Sequence, residues 1–393
     1  MPFPLLVSLF LAASLAQSLS YGLTFLLPDL FGTFGGAVSD AGRVLSLVGV
    51  FAVTSAVLLG AFIRVLGHMR ALALCCFCSA AALALFATSS HVALQVYLAA
   101  ALFGVGWSGF YVLGPLILAK MLQPEDRPRY FSWLAAFIMA GIGGAPILAS
   151  FAASFDVEIG QVFFMVACLS ALAGAVFGAL TSAIAMSNEW HNDSNEGLSF
   201  SAAVRVMQSR AWRPVVMVML GAAVFAAILN FQSIYAAQVG QSYSLFYGVY
   251  TFTVIIGRFV VAGLDLKVAP YALIAAFLAA MALAVICLLP GTPHQWLYAL
   301  AALLFGIGYG LAYPILKAMA ANDAAPGLQD ATLQLFGLGY FVGIFGFPLI
   351  GALILQAASM QLLLTLALAL ASLECLLAVD RYWRDRKTHP VRA

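Results

Sequence analysis

Twelve uninterrupted apolar runs dominate this chain, and each is long enough to cross a lipid bilayer. They cover residues 4–27, 44–63, 71–89, 92–118, 131–155, 161–186, 214–237, 244–264, 268–289, 296–319, 331–357 and 361–379, and only three contain a charged residue: Arg258, Lys317 and Glu374. A helix needs roughly 20 apolar residues to span the hydrocarbon core. Alternating segments of about ten residues, the mark of an outer-membrane barrel, do not occur. Charged residues make up 8% of the chain and hydrophobic ones 64%, against about 25% and 45–50% in soluble domains. The expectation is an all-α membrane protein. The first residues carry no basic region and no small-residue cleavage site, so the run at 4–27 reads as a spanning helix and not a signal peptide.

Basic residues set the orientation. With the amino terminus in the cytoplasm, all 17 Lys and Arg except Arg43 and Arg258 fall on the cytoplasmic side, which leaves 15 there. The opposite topology would place nearly all of them outside, against the positive-inside rule. Both termini are therefore expected in the cytoplasm of a cell whose inner (plasma) membrane holds the chain. The longest polar stretch, 187–213, separates six spans from six, and Ala202 to Gln208 within it suits a short interfacial helix. The expected organisation is a bundle over 1–186, a cytoplasmic loop over 187–213, and a second bundle with a basic tail over 214–393.

The two halves also share a motif. FGVGWSGFYVLGPLILAKM begins at Phe103, and FGIGYGLAYPILKAM begins at Phe305. Phe103 and Phe305 lie 202 positions apart, as do Tyr111 and Tyr313; Pro115 and Pro314 are 199 apart, so a small deletion separates these landmarks. A period of half the chain is too long for a solenoid. It indicates that one half is a diverged copy of the other.

Six plus six spans, a central loop and a halfway repeat together resemble the major facilitator superfamily over essentially the whole chain. That resemblance implies two pseudo-symmetric six-helix bundles and a central site opened alternately to either side. The family signature G-x-x-x-D-R-x-G-R-R between spans 2 and 3 survives here as Gly60, Gly67 and, just beyond it, Arg70. Arg64 stands in the aspartate position and Val65 in the arginine position; the second-half counterpart keeps Gly263, Leu264 and Asp265. The resemblance suggests that Arg64 holds one side closed with reversed sign, against Asp330 or Asp323. Span 5 contains AGIGGAP at 140–146, a loose version of the exporter motif of the drug and metabolite efflux branch, whereas Ala100 stands where that branch carries an arginine in span 4. Small residues at such spacings also serve plain helix packing.

Polar residues inside the bilayer are costly and turn toward a cavity or another helix. Ser14, Gln17, Ser18, Tyr21 and Thr24 share one face of span 1. Asn230, Gln232 and Tyr235 crowd span 7, Tyr247 lies on span 8, and Gln334 on span 11; the repeats add Trp107, Tyr111, Tyr309 and Tyr313. The resemblance puts spans 1, 4, 7 and 10 along the transport path, which makes Gln17, Tyr21, Trp107, Tyr111, Asn230, Gln232, Tyr235, Tyr247, Tyr309, Tyr313 and Gln334 the candidate substrate contacts. Aromatic faces with neutral donors and acceptors suit a neutral, zwitterionic or amphipathic solute. The same side chains also make ordinary interhelical hydrogen bonds.

Candidate coupling or gating groups are Asp29, Asp40, Arg43, Arg64, Arg258, Asp330 and Glu374. Arg43, the one basic residue on the outer side, is expected to pair with Asp40 or Asp29, although Asp40 also suits a helix start. Arg258 can snorkel or pair with Asp265. No histidine lies within a span, which argues against a buried histidine relay.

The functional expectation is a secondary carrier of a small organic solute, a proton-coupled exporter. The alternatives are a proton- or sodium-coupled uptake symporter, a facilitative uniporter, or a non-transporting membrane sensor or enzyme. No G-x-x-x-x-G-K-[ST] loop supports ATP-driven transport. Cys75, Cys76 and Cys78 cluster in an apolar helix without His or carboxylate, so packing and not metal explains them, and no cofactor is expected. The expected partners are the solute, a proton and membrane lipids; the basic tail suits anionic lipid, and nucleic acid is not indicated.

Overall fold

The computed structural model describes residues 3–122, 127–183, 199–263, 268–291 and 294–388. Among them every regular element is helical. The helices are α1 (Phe3–Leu23), α2 (Leu27–Gly32), α3 (Val38–Leu66), α4 (His68–Ala87), α5 (Leu94–Met121), α6 (Arg127–Ala153), α7 (Ile159–Ala183), α8 (Phe200–Gln208), α9 (Trp212–Leu229), α10 (Gln232–Gln238), α11 (Tyr243–Gly263), α12 (Pro270–Leu288), α13 (Gln295–Asn322), α14 (Gln329–Ala357) and α15 (Met360–Thr388). Twelve helical segments among the described residues are long and apolar enough to cross a membrane.

Two of the spans expected to be continuous are broken, at matching places in the two halves. The first changes at Thr24–Leu26 into a 3-10 turn that leads into α2. Pro28 opens α2; it has no N–H to continue the ladder. The seventh breaks at Asn230 and Phe231, where the Asn230 side chain donates to the Ala226 carbonyl at 3.0 Å. A side chain of this kind competes with the backbone for its own carbonyls and favours a helix end.

Contacts divide the chain into two compact units, Met1–Gly197 and Leu198–Ala393. In the first, α1 packs on α6 and α7, α4 packs on α5 and α7, and α3 packs on α5. In the second, α9 packs on α14 and α15, α12 on α13 and α15, and α11 on α13. Counted by span, these are the same five pairings: first with fifth and sixth, third with fourth and sixth, second with fourth. The halfway repeat is therefore a repeat of packing as well as of sequence.

Matched glycines make the closest of these crossings possible. A Cβ on Gly308 of α13 would lie 2.6 Å from Met281 Cβ of α12, and one on its counterpart Gly106 would collide with Ser79 of α4. Gly141 in AGIGGAP does the same between α6 and α1, where a Cβ would sit 2.7 Å from Ser18 Cβ; Gly343 repeats the contact between α14 and Ala222 of α9, at 2.8 Å. Close approach of backbones is what small residues contribute in a bilayer, where lipid tails leave no hydrophobic force between helices.

The short helix α8 has three faces. Ala202 and Val206 are buried, while Phe200, Val204 and Met207 are exposed beside them, and Ser201, Arg205 and Gln208 occupy the remaining arc. Ser199 caps it by accepting from the Ala202 N–H at 3.1 Å. This division of one helix into packed, apolar-exposed and polar arcs suits a helix lying in a membrane interface.

Candidate functional site

Each unit joins its first and fourth spans through a close aromatic pair, stacked in the first unit and tilted by 33° in the second. In the first unit Tyr21 of α1 lies on Trp107 of α5, with ring centroids 4.5 Å apart and planes 18° from parallel. In the second, Phe225 of α9 meets Tyr309 of α13, also at 4.5 Å. The two pairs occupy corresponding positions, because Trp107 and Tyr309 are separated by the 202 residues that separate Phe103 and Phe305. Each column of rings continues along its helix, to Tyr111 at 6.2 Å from Trp107 and to Tyr313 at 6.3 Å from Tyr309. Tyr313 also packs on Phe336 and Tyr340 of α14, at 5.6 and 5.5 Å. Phe225 and Tyr340 escaped notice in the sequence, since an isolated aromatic in an apolar helix gives no signal until its neighbours are known.

The polar stripe of α1 resolves into two kinds of residue. Ser14, Ser18 and Thr24 donate to carbonyls three or four residues earlier in their own helix. Gln17 instead reaches across to α4, where its Nε2 donates to Ser79 Oγ at 2.8 Å. Its Oε1, and the Nε1 of Trp107, are buried without a hydrogen-bond partner. An acceptor and a donor left unmatched beside the Tyr21–Trp107 stack are groups a polar solute could satisfy. Leaving them unpaired costs about 1–3 kcal/mol each.

Other candidates are bonded into the framework of the second unit. Gln232 Nε2 donates to Tyr298 Oη at 2.7 Å, Tyr235 Oη to the Leu288 carbonyl at 2.7 Å, and Tyr247 Oη to the Leu229 carbonyl at 2.6 Å. Together with Asn230 they fasten α10, α11, α12 and α13 around the break in the seventh span. Gln334 is half-buried on α14.

Of the charged candidates, Arg43 pairs with Asp40 at 3.0 Å, and Asp40 also accepts from the Ala37 N–H at 2.9 Å, which starts α3. Asp29, Arg64 and Asp330 are exposed. Arg258 has an unforeseen partner: its Nε donates to the Gly310 carbonyl at 3.2 Å. That carbonyl lies four residues before Pro314, whose missing N–H would otherwise have bonded it. Asp265, its expected partner, lies outside the described residues.

Asp323 is engaged within its own unit. Arg381 donates to its two carboxylate oxygens at 2.7 and 3.4 Å, Tyr271 Oη donates to it at 2.7 Å, and both charged side chains are 7% exposed. The Arg381 guanidinium also sits 5.3 Å from the centre of the Tyr271 ring. In the sequence Arg381 reads as the start of the basic tail, although it lies seven residues after Glu374 and so two turns along the same face. Glu374 itself is 2% exposed and its Oε2 has no hydrogen-bond partner.

Among curated protein sequences there is no significant match. Solved structures do match over nearly the full length. A variant of the nucleoside transporter NupG superposes with a TM-score of 0.77 at 16% identity, covering 95% of this chain and 99% of that one. The POT family transporter PepTSo gives 0.73 at 12% identity, covering 98% and 99%. The human organic anion transporter MFSD10 (TETRAN) gives 0.70 at 16% identity, covering 96% and 100%. At these identities the likeness establishes the fold. The sequence itself fits the family model described as Major Facilitator Superfamily over residues 9–348. With twelve spans, five helix pairings repeated in each unit and that match, the chain belongs to the major facilitator superfamily, a family of membrane transporters and not of enzymes.

Proposed function

We propose that this transporter exports a small neutral, zwitterionic or amphipathic organic solute in exchange for protons, by alternating access. The observation that carries the reading is the aromatic column of each unit: Tyr21, Trp107 and Tyr111 in one, Phe225, Tyr309 and Tyr313 in the other. Rings of this kind bind apolar or heteroaromatic bodies through their faces. The unmatched Gln17 Oε1 and Trp107 Nε1 add one acceptor and one donor, and among the described residues neither side chain is in an ion pair. Exchange with protons agrees with a buried carboxyl, Glu374, and export with the glycine-rich AGIGGAP segment. The distribution of Lys and Arg supports both termini in the cytoplasm and residence in the inner (plasma) membrane.

Proteoliposomes with an imposed pH gradient test both coupling and direction. A panel of aromatic amino acids, nucleosides and amphipathic heteroaromatic compounds is offered from outside. An antiporter concentrates its solute in vesicles with an acidic lumen, and a symporter does so when the outside is acidic. Accumulation under the first condition alone supports the reading. Accumulation under the second makes the protein a symporter, and a failure of both gradients to drive any panel member removes the proton.

A further inference from the structure

We infer that Glu374 is a proton-binding site enclosed within the second unit, set against the aromatic wall formed by Tyr309 and Tyr313. The inference rests on the proton-coupled reading above and gives the proton a place. Four observations carry it.

First, the carboxyl is isolated. Glu374 is 2% exposed, its Oε2 has no hydrogen-bond partner, and none of the ion pairs among the described residues of this unit includes it. Second, space has been kept for it. A Cβ on Gly221 of α9 would lie 2.9 Å from each of its two oxygens, so only glycine at 221 leaves the carboxyl where it is. Third, a cavity of about 10 Å³ adjoins it, lined by Val218, Gly221, Leu278, Tyr309, Tyr313 and Glu374 among others. That is room for about one water molecule. Fourth, packing does not call for an acid at this position. Seven of the nine buried positions among the described residues of α7, 162, 163, 166, 170, 173, 177 and 180, recur on α15 at 363, 364, 367, 371, 374, 378 and 381, each 201 positions later. In that register the first unit has Ala173 where the second has Glu374.

Among the described residues nothing that lines the cavity balances a negative charge. Tyr309 and Tyr313 of α13 are the other titratable groups among the described residues that line the cavity. Val218 and Gly221 are what α9 presents, and Leu278 is what α12 presents; no charged group reaches it from α14. On its own helix, Cys375 donates to the Ala275 carbonyl at 3.5 Å, and Arg381 is committed to Asp323. Burying an unpaired carboxylate costs far more than burying the acid. In this conformation Glu374 therefore holds a proton. Release breaks its O–H bond and passes the proton to water as hydronium once the cavity communicates with solvent; binding reverses the step. Because Tyr309 belongs both to this cavity and to the ring pair with Phe225, a solute leaning on that pair bears on the proton's enclosure.

Infrared difference spectroscopy of the purified protein in lipid at neutral pH reads the proton directly. The expected result is a protonated-carboxyl band in the wild type that shifts in D2O and is lost in Glu374→Gln, together with loss of pH-driven accumulation by that variant in the vesicle assay. A band that persists in Glu374→Gln, or a variant that accumulates solute as the wild type does, overturns the assignment. Should Glu374→Gln fail to fold, Gly221→Ala replaces it: its methyl group displaces the carboxyl and must shift the band, and an unmoved band overturns the assignment equally. A wild type that ignores the pH gradient but keeps the band refutes proton-coupled transport and leaves the binding site standing.

Discussion

Replacing Arg381 with Leu should be among the most damaging single substitutions in the second unit, and replacing its partners as well should undo the damage. The guanidinium and the Asp323 carboxylate approach to 2.7 Å with both side chains 7% exposed. At an effective dielectric of about 20 the gross attraction at that distance is about 6 kcal/mol. Desolvation of each ion costs several kcal/mol, so the pair as a whole contributes little net stability. Removing one member is a different matter, because the other stays buried without compensation, and the usual cost is about 3–5 kcal/mol. Arg381→Leu leaves Asp323 with only the Tyr271 hydroxyl, a bond to a charged group worth about 1.5–3 kcal/mol. The expected loss is therefore about 3 kcal/mol, the low end of that range. The triple variant Arg381→Leu, Asp323→Leu, Tyr271→Phe removes both charges and the hydroxyl that served them. Apolar replacement of such clusters is often neutral or stabilising by about 1–4 kcal/mol, and in the 201-residue register the first unit already carries Leu180 opposite Arg381. Equilibrium urea unfolding in detergent micelles, followed by tryptophan emission, gives both numbers. A single variant that loses less than about 1 kcal/mol, or a triple variant no more stable than the single, would refute the reasoning, since a buried uncompensated charge is its whole basis.

Three further outcomes follow from named contacts. Arg258→Leu should cost about 1–3 kcal/mol by abandoning the Gly310 carbonyl, but much less in a Pro314→Ala background, where residue 314 regains the N–H that bonds it; a double-mutant cycle with no coupling would show that the contact is incidental. Arg43→Ala should change stability by no more than about 0.5 kcal/mol, as for other exposed i, i+3 pairs, while Asp40→Ala should cost about 1 kcal/mol through the start of α3; thermal unfolding of both variants checks the order, and equal losses would contradict it. Trp107→Ala should raise the KM for a transported heteroaromatic solute by about 2–10-fold, the equivalent of a stacking energy of about 0.5–1.5 kcal/mol, with Trp107→Phe intermediate; initial-rate uptake measures both.

What could be read from the sequence was what depends on spacing along one helix, and what could not was what depends on the register between helices. The apolar runs fixed the number of spans because backbone polar groups in a bilayer must bond within their own segment. The repeat at Phe103 and Phe305 foretold matched packing because a duplicated chain inherits its glycine contacts, as Gly106 and Gly308 do. Tyr21, Trp107 and Tyr309 stood out by residue type alone. Gln232, Tyr235 and Tyr247 stood out on the same grounds, yet their partners, Tyr298 and the carbonyls of Leu288 and Leu229, lie 66, 53 and 18 residues away, and no local pattern announces them. Arg258 shows the same limit more sharply. Pro314 declares in the sequence that the Gly310 carbonyl is left open, but which of 393 residues fills it depends on where α11 crosses α13. Glu374 combines both cases: a lone acid in an apolar run is visible at once, and its meaning comes from Gly221, which is 153 positions earlier and looks like any other small residue. A duplicated fold offers a remedy, because the sister half shows what the same site needs for packing alone. Ala173 holds the corresponding position in the first unit without a charge, so the shared helix pairing does not itself require an acid at 374.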